Sequence, residues 1–459
     1  MAAFKVIIVG GSIAGLVLAN MLERYGIDYE LLEKHDTIAP RLGAGYSLLP
    51  HGSRILDQLG CYNVLEKLST PINTVSGYDE HGIRCANLPG YGEWMEKTLG
   101  YKMRFLERYQ VVKALYDNLG DKSKVHTSCA ISSIHSTDDG VRVETDGRVY
   151  EGDIVVGADG VHSYVRHEMD RLREASGSLG QENSFVCNYR AIFGTSVAPE
   201  GLVQEEAFKG HRSGRSYMCS PGLDGLIYWI AMFKNDEKTR GNSIPRYTAR
   251  DRHELAARYA DDIIKPGATF GELYQKAIAT SLVSLEEGVL SCYHKRIVLV
   301  GDSWHKINPL TGQGGNTAIS GAACLADELK NLLDRNDKPN KASIEETFAR
   351  YRQAREIVTR QLVKGAHVMQ QMEALETPLL RFIQLKLIRF VSVKMIANQL
   401  IEAFTSGIPL QHLPLPSRRG TVPIRRQLEV EPEGRTNIVS KLWVLLLPLI
   451  PMVYHFLLK

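Results

Sequence analysis

The 459-residue sequence is poor in cysteine and has almost no excess of charge of either sign. Its seven cysteines are scattered without a C-x-x-C pair, which indicates reduced thiols in a reducing compartment rather than a disulfide framework or a zinc site. A formal net charge of +3 gives no reason to expect nucleic-acid binding. Strand-like residues begin at Phe4, so we expect no signal peptide.

The order of apolar patterns predicts two interleaved domains. Residues 4–33 run as an apolar strand, a Gly-rich turn, an amphipathic helix and a second apolar strand, which is typical of a βαβ unit in a buried parallel sheet. Residues 184–282 alternate apolar and polar side chains, as in an antiparallel sheet with one covered face. The predicted fold is therefore α/β, a Rossmann-type domain interleaved with an antiparallel-sheet substrate domain, followed by a helical C-terminal region and an apolar tail. The predicted boundaries are 1–75, 100–180 and 285–365 for the Rossmann-type domain, 76–99 and 181–284 for the substrate domain, 366–437 for the helical region and linker, and 438–459 for a membrane segment.

The first motif is the Gly-rich turn Gly10–Gly15 between the first strand and the first helix. Gly10 permits a tight turn, the small Ser12 allows close approach of a pyrophosphate, and Gly15 allows the helix to pack on the strand. Glu33, about twenty residues later at the end of the second strand, is suited to accept ribose hydroxyls. This motif alone does not distinguish FAD from NAD, and a turn without a ligand is the alternative.

Two further motifs end buried strands. Asp159 lies in Gly157–Gly160, where an Asx-turn is the structural alternative. Asp302 follows another buried strand and can bind a polyol hydroxyl, and Gly312–Gly315 opens a long helix whose N-terminus can hold an anionic edge. A purely structural turn is again the alternative.

Together the three motifs, in this order, resemble the class A flavoprotein monooxygenases, the family of para-hydroxybenzoate hydroxylase, over residues 4–365. The resemblance implies an FAD cofactor, with Glu33 at the adenosine ribose, Asp302 at the ribitol and Gly315 at the isoalloxazine end. It also implies that Asp159 serves both FAD and NADPH. The FAD-binding positions it implies are Gly10, Ser12, Gly15, Glu33, Ala44, Gly45, Ser47, Arg108, Asp159, Asp302 and Gly315. For Arg108, a charge on the helix surface is the alternative.

The phrases IAPRLGAGYSLLPHGSRILDQLG and GDSWHKINPLTGQGGNTAI resemble a narrower group, the fungal FAD-dependent monooxygenases of indole-diterpene and meroterpenoid pathways, the family of the paxilline-pathway epoxidase. This resemblance implies epoxidation of an alkene in a polyprenyl chain, after which a separate terpene cyclase opens the epoxide. It also implies a catalytic pair, Arg190 and Tyr217. The alternatives are an interdomain salt-bridge arginine and a core tyrosine.

The implied chemistry places requirements on the site. NADPH reduces the flavin, and because no second dinucleotide fingerprint exists, NADPH is expected to share the FAD cleft. The oxygenating flavin must be protected from water, so we expect an apolar pocket over the ring. An alkene needs no deprotonation, so no catalytic base is expected, whereas a hydrogen-bond donor would help.

Residues 442–458 form an apolar run that is seventeen residues long, including Pro448, Pro451 and His455. The run is at the lower length limit for a membrane span, and a buried helix is the alternative. A basic linker precedes it, so we expect membrane association at the endoplasmic reticulum with the catalytic part in the cytosol. The helices of 375–410 would add an interfacial surface.

The sequence leaves three alternative functions to compare. An aromatic hydroxylase of the same class is the nearest. A flavin-dependent halogenase is disfavoured because no W-x-W-x-I-P motif is evident. A binding module that retains the fold without FAD, like the Rab escort proteins, is disfavoured because all three cofactor motifs are intact.

Overall fold

The structure is a computed structural model that describes residues 4–41, 45–175, 177, 184–199, 202–336, 338–391, 401, 404 and 409–422. Ala44, predicted to contact the flavin, lies outside the described residues. So do the apolar tail predicted at 438–459 and the preceding linker from residue 423. Among the described residues, no helix combines the length and hydropathy needed to cross a bilayer.

The described elements alternate between strands and helices along the chain. The strands are β1 (Lys5–Val9), β2 (Asp28–Leu32), β3 (Gly45–Leu48), β4 (Thr70–Pro71), β5 (Thr74–Tyr78), β6 (Arg84–Pro89), β7 (Arg104–Glu107), β8 (Val125–His126), β9 (Ile131–Ser136), β10 (Val141–Thr145), β11 (Arg148–Gly152), β12 (Ile154–Gly157), β13 (Val186–Val197), β14 (Glu206–Arg212), β15 (Arg215–Pro221), β16 (Leu226–Arg240), β17 (Ile263–Lys265), β18 (Ala268–Thr269), β19 (Ala277–Val289), β20 (Tyr293–His294), β21 (Ile297–Leu299) and β22 (His305–Lys306). The helices are α1 (Ile13–Tyr25), α2 (Pro50–Gln58), α3 (Tyr62–Lys67), α4 (Tyr91–Leu99), α5 (Arg108–Asp117), α6 (Tyr164–Ala175), α7 (Ala249–Arg258), α8 (Phe270–Gln275), α9 (Gln313–Arg335), α10 (Lys341–Glu373) and α11 (Pro378–Phe382). Single helical turns occur at Lys122–Lys124, Gly241–Ser243, Gly301–Ser303, Pro309–Thr311, Ile383–Leu387 and Ile388–Phe390.

A mostly parallel sheet carries the three motifs. Its strand order is β20-β21-β12-β1-β2-β8, and only β20 runs antiparallel to its neighbour. The apolar residues of β1 and β12 are fully or almost fully buried, because α1 packs on β1 and β2 and α6 packs on β12 and β21. The carboxyl ends of β1, β2, β12 and β21 lie at one edge, where a parallel sheet forms its ligand crevice.

The substrate sheet has eight strands in the order β22-β19-β13-β16-β15-β14-β5-β6. It takes residues from 74–89 and 186–289, with the short β22 added at one edge, whereas the predicted bounds of the substrate domain were 76–99 and 181–284. The expectation of one covered face is wrong for the central strands. One face packs on α7 and α8 around Phe233 and Phe270, and the other contacts Leu310 and Ala374.

The segment 409–422 returns across the Rossmann-type domain. The Gln58 side chain accepts the Leu410 N–H and donates to the Leu410 carbonyl. The Asp327 carboxylate accepts the Gln411 N–H at 3.2 Å, and Arg418 pairs with Glu66 at 2.9 Å. These contacts attach the C-terminal part of the described chain to the domain that carries the motifs.

Candidate active site

The turn after β1 is closed by two glycines that no other residue could replace without displacement. Gly10 has φ +111°, and a Cβ on it would lie 2.5 Å from the Ala158 carbonyl oxygen. A Cβ on Gly15 would lie 2.0 Å from the Gly10 carbonyl oxygen. Gly10 and Ser12 line a cavity of about 770 Å³ at the carboxyl edge of the parallel sheet, here named the main cavity. Gly15 does not line this cavity; it is the position where α1 packs closely on the turn after β1.

Glu33 and Arg108 meet the same turn from two other elements. The two Glu33 carboxylate oxygens accept the N–H groups of Gly11 at 2.7 Å and His35 at 2.9 Å. Arg108 begins α5 and donates to the Ser12 hydroxyl at 2.5 Å. Both side chains line the main cavity, so Arg108 is not merely a charge on the helix surface.

The second and third motifs are hydrogen-bonded to each other. Ser303 donates its hydroxyl to Asp159 Oδ1 at 3.1 Å and accepts the Gly160 N–H at 3.0 Å. Ser163 also donates to Asp159, at 2.5 Å, and Arg166 donates to the Ser303 carbonyl at 2.8 Å. Asp159 lines the main cavity while its carboxylate holds the two turns together.

Asp302 presents an ionised carboxylate to the main cavity. Burial alone would raise the pKa of Asp302, but the hydrogen-bonded Lys306 ammonium, with His305 and Arg108, holds that pKa below its ordinary value. About a third of the side chain is exposed, on the cavity side. Lys306 follows Asp302 by four residues, a spacing that could have identified it from the sequence.

The start of α9 supplies bare backbone to the main cavity. Gly312 has φ +64°, a Cβ on Gly314 would meet nothing within 4 Å, and a Cβ on Gly315 would lie 2.3 Å from the Tyr46 ring. The first turn of this 23-residue helix carries no acidic side chain. Its N–H groups and positive dipole end are therefore available to an anionic ligand edge. Gly45 and Ser47 line the cavity on the same side.

Several buried polar atoms beside this helix start lack partners in the described part of the chain. They are the Tyr46 hydroxyl, Thr311 Oγ1 and Gln313 Oε1. Burial raises the pKa of Tyr46, which is 8% exposed and lines the main cavity. Buried polar groups are normally hydrogen-bonded, so the Tyr46 hydroxyl, which belongs to the one residue of these three that lines the main cavity, fits a polar ligand such as the pyrimidine half of a flavin. The sequence had drawn attention to this loop but not to Tyr46.

The wall that the substrate sheet contributes to the main cavity is apolar. Phe193, Met218 and Ile230 lie side by side on β13, β15 and β16, on the face of the substrate sheet that looks toward the motifs. Alternation along a strand shows two faces in the sequence, but it does not indicate which face meets the cofactor. These three residues were therefore missed.

The catalytic pair expected from the resemblance is on the other face. Tyr217 neighbours Met218 and so points away, into the cluster with Phe233, where its hydroxyl donates to Asp262 at 2.5 Å. Arg190 is paired with Phe233 across the strands and shares that face. Neither residue lines the main cavity. The prediction that Arg190 and Tyr217 reach the reacting ring therefore disagrees with their positions, because the strand pleat turns both away.

A second cavity of about 1270 Å³, here named the side cavity, adjoins the main cavity and shares Phe193, Lys306 and Pro309 with it. It lies between α6 and the β19 edge of the substrate sheet. Most of its charged lining is basic. The basic residues are His162, Arg166, His167, Arg240, Arg246 and Lys306, against the acidic Asp170 and Glu286.

Comparisons with known proteins identify the family. The family model described as FAD binding domain matches residues 3–366, so the chain belongs to that family, and the main cavity, which gathers the three motifs, is its candidate FAD site. The FAD-dependent monooxygenase asqG of Emericella nidulans is 38% identical over 97% of this chain and 81% of its own length. The FAD-dependent monooxygenase ptmM of Penicillium ochrochloron is 38% identical over 77% of this chain and 85% of its own. The chain is therefore a fungal-type FAD-dependent monooxygenase.

Some relatives are longer, and more distant structures share only the fold. The FAD-dependent monooxygenase ntnA of Nectria sp. is 37% identical over 97% of this chain, which spans only 60% of its length. The solved structure of Klebsiella pneumoniae HpxO with FAD and uric acid aligns at TM-score 0.72 and 21% identity, covering 88% of this chain and 97% of that one. The 2,6-dihydroxypyridine-3-hydroxylase of Arthrobacter nicotinovorans aligns at 0.64 and 21%, covering 82% and 95%.

Proposed function

We propose that this monooxygenase is an epoxidase of terpenoid biosynthesis, acting on a meroterpenoid or an indole diterpene. It inserts one oxygen atom of O₂ into an alkene of a polyprenyl chain and reduces the other to water. NADPH supplies two electrons and, with one proton from solvent, balances the reaction to epoxide, NADP⁺ and water. The bound FAD supplies the oxygen transfer, while the side chains of the protein bind the substrate and exclude water.

The observation that carries this proposal is the apolar wall of Phe193, Met218 and Ile230. These side chains match a prenyl chain in chemistry and present no group that could take a proton. An alkene reacts without losing a proton, whereas a phenol reacts better after deprotonation. The wall therefore favours an alkene over the aromatic substrate of a hydroxylase. It also keeps water from the reacting ring.

The experiment that tests substrate class compares a geranylgeranylated scaffold, a farnesylated scaffold and a simple phenol, with mass spectrometry of the products and NADPH consumption in parallel. An added oxygen on a prenyl double bond, and none on the phenol, is the expected result. Hydroxylation of the phenol ring alone would reject the epoxidase in favour of an aromatic hydroxylase. A colourless purified protein with no bound FAD would instead favour a binding module.

The wall has its own test in Ile230→Asn. A polar side chain there should admit water, so that more NADPH is consumed per epoxide and the difference accumulates as hydrogen peroxide. The matched control is Ile278→Asn on β19, where the side chain is 61% exposed. Equal peroxide yields from the two variants would contradict a water-excluding role for the wall.

The side cavity supports NADPH as the reductant. Its basic lining suits the phosphates of a dinucleotide, and its junction with the main cavity brings such a ligand beside the flavin. Arg246→Glu should raise the KM for NADPH by about tenfold at low salt, because it reverses one charge of this lining. Arg250→Glu reverses an exposed charge four residues later, outside both cavities, and should not. Equal KM values for the two variants would remove the side cavity from the proposal.

We also propose that the protein associates with the endoplasmic reticulum membrane and delivers its epoxide to a terpene cyclase in the cytosol. The support is the apolar sequence at 442–458, behind a basic linker, together with a greasy substrate. Fractionation of cells that express the full chain or a chain ending at residue 437 tests it. Equal distribution between membrane and soluble fractions would contradict membrane attachment by the tail.

A further inference from the structure

A chain of hydrogen bonds runs from α10 to the turn under the main cavity. His367 Nδ1 lies 2.7 Å from Glu287 Oε2, and the other oxygen of Glu287 accepts from Asn308 Nδ2 at 3.0 Å. Asn308 Oδ1 then accepts the Leu310 N–H at 3.1 Å, which caps the turn Pro309–Thr311. Asn308 is fully buried and Glu287 is 6% exposed, whereas 29% of the His367 side chain is exposed, so the chain links a partly exposed imidazole to a buried turn.

This turn leads directly into the FAD site. Pro309, Gly312 and Gly314 line the main cavity, and α9 begins at Gln313. The position of the helix start, and of its N–H groups, therefore depends on the turn that Asn308 caps. A purely structural cap would need only Asn308. Here the cap continues into a buried carboxylate and a titratable imidazole.

The charged groups around His367 come from three elements. Glu287 on β19 raises the pKa of His367 through their hydrogen bond, and burial lowers it less. Glu376, just beyond α10, also raises it, and Lys238 on β16 lowers it. Glu376 is itself paired with Lys234 at 2.6 Å. Glu287 is thus the dominant partner of His367.

We propose that His367, acting through Glu287 and Asn308, is a positioning residue that makes the affinity of the site for reduced FAD depend on pH. When His367 is protonated, it forms a neutral ion pair with Glu287. When His367 loses its proton, the pair carries a net negative charge on Glu287, which is hydrogen-bonded to the residue that caps the turn before α9. Reduced flavin is the more negative form of the cofactor, so a buried anion nearby disfavours it more than oxidised flavin.

The test uses purified holoenzyme without substrate. The ratio of affinities for reduced and oxidised FAD is obtained from the midpoint potential of the bound flavin relative to that of free FAD, measured at pH 6 and pH 9. In His367→Gln, which leaves Glu287 uncompensated, we expect this ratio to fall about tenfold at pH 6, and to match the wild type at pH 9. The double variant Glu287→Gln/His367→Gln restores a neutral chain and should recover the wild-type ratio at pH 6.

The control is His253→Gln, an exposed histidine on α7 whose ring contacts the Tyr274 hydroxyl. This variant should leave the ratio of affinities unchanged at both pH 6 and pH 9. An equal loss at both pH values would show a merely structural role, and no loss at pH 6 would show that the chain does not reach the cofactor; either result overturns the proposal. The proposal rests on the FAD site and not on the substrate, so an error in the epoxidase assignment leaves these measurements unaffected.

Discussion

Replacing Gly15 by alanine tests the close contact on which the phosphate-binding turn depends. A Cβ at this position would lie 2.0 Å from the Gly10 carbonyl oxygen, whereas real Cβ atoms essentially never come closer than 3.0 Å. Because the contacted atom is backbone, no side chain can rotate to make room. We expect α1 to move away from β1 by about 1 Å, which carries the N–H groups at its start out of position for a pyrophosphate.

The magnitude follows from two opposing effects. Overpacking costs roughly 1–3 kcal/mol. Alanine is favoured over glycine within a helix by about 0.5–1 kcal/mol, which offsets part of that cost. We therefore expect the free energy of unfolding to fall by about 1–2 kcal/mol. A binding group displaced by about 1 Å can cost far more in function, so FAD affinity should fall at least about tenfold.

The assay is urea unfolding of the apoprotein together with a fluorescence titration of FAD. The matched control is Gly365→Ala in α10, where a Cβ would meet nothing within 4 Å. That substitution should stabilise the protein by about 0.5–1 kcal/mol and leave FAD binding unchanged. If Gly15→Ala unfolds at the same urea concentration as the wild type and binds FAD as tightly, the reasoning from close packing is refuted.

Three further predictions concern single side chains. Glu33→Gln should weaken FAD binding about tenfold in the same titration, because the carboxylate is lost as an acceptor, and unchanged affinity would place the ribose elsewhere. The Tyr217 hydroxyl donates to Asp262 on the face of the sheet that points away from the main cavity. Tyr217→Phe should therefore lower the free energy of unfolding by about 1–3 kcal/mol and leave the turnover rate unchanged. Lost turnover at full stability would contradict that position. Burial raises the pKa of Asp327 to about 7. Between about pH 4 and pH 7 the folded state therefore holds a proton that the unfolded chain has released. The free energy of unfolding should fall as the pH rises through this range. Asp327→Asn should flatten that slope in urea titrations across this range, and an unchanged slope would exclude Asp327 as its source.

The Rossmann-type domain could be predicted from the sequence because the motifs that indicate it are local. Gly10 and Glu33 follow directly on buried strands, Asp302 lies in the turn just after a third, and parallel strands bring their carboxyl ends to one edge. The motif order then indicated a shared ligand. The structure gathers all three residues around the main cavity.

The substrate sheet was less predictable because the alternation along a strand defines two faces but does not indicate which face meets the cofactor. Arg190 and Phe193 lie on opposite faces of β13, and only the packing of the sheet against the other domain decides that Phe193 meets the cofactor. The chain from His367 to Asn308 was also missed. It joins residues that lie far apart in the sequence, and no local pattern indicates such a contact.

The strand order of the parallel sheet has a consequence for biosynthesis. β1 lies between β2 and β12, and β12 is then flanked by β21, which is translated about 140 residues later. A nascent chain that stops short of β21 leaves one side of β12 unpaired, a template for association with other chains. The start of α9, which completes the cofactor site, emerges later still. The cofactor site is therefore incomplete until the start of α9, at Gln313, has left the ribosome.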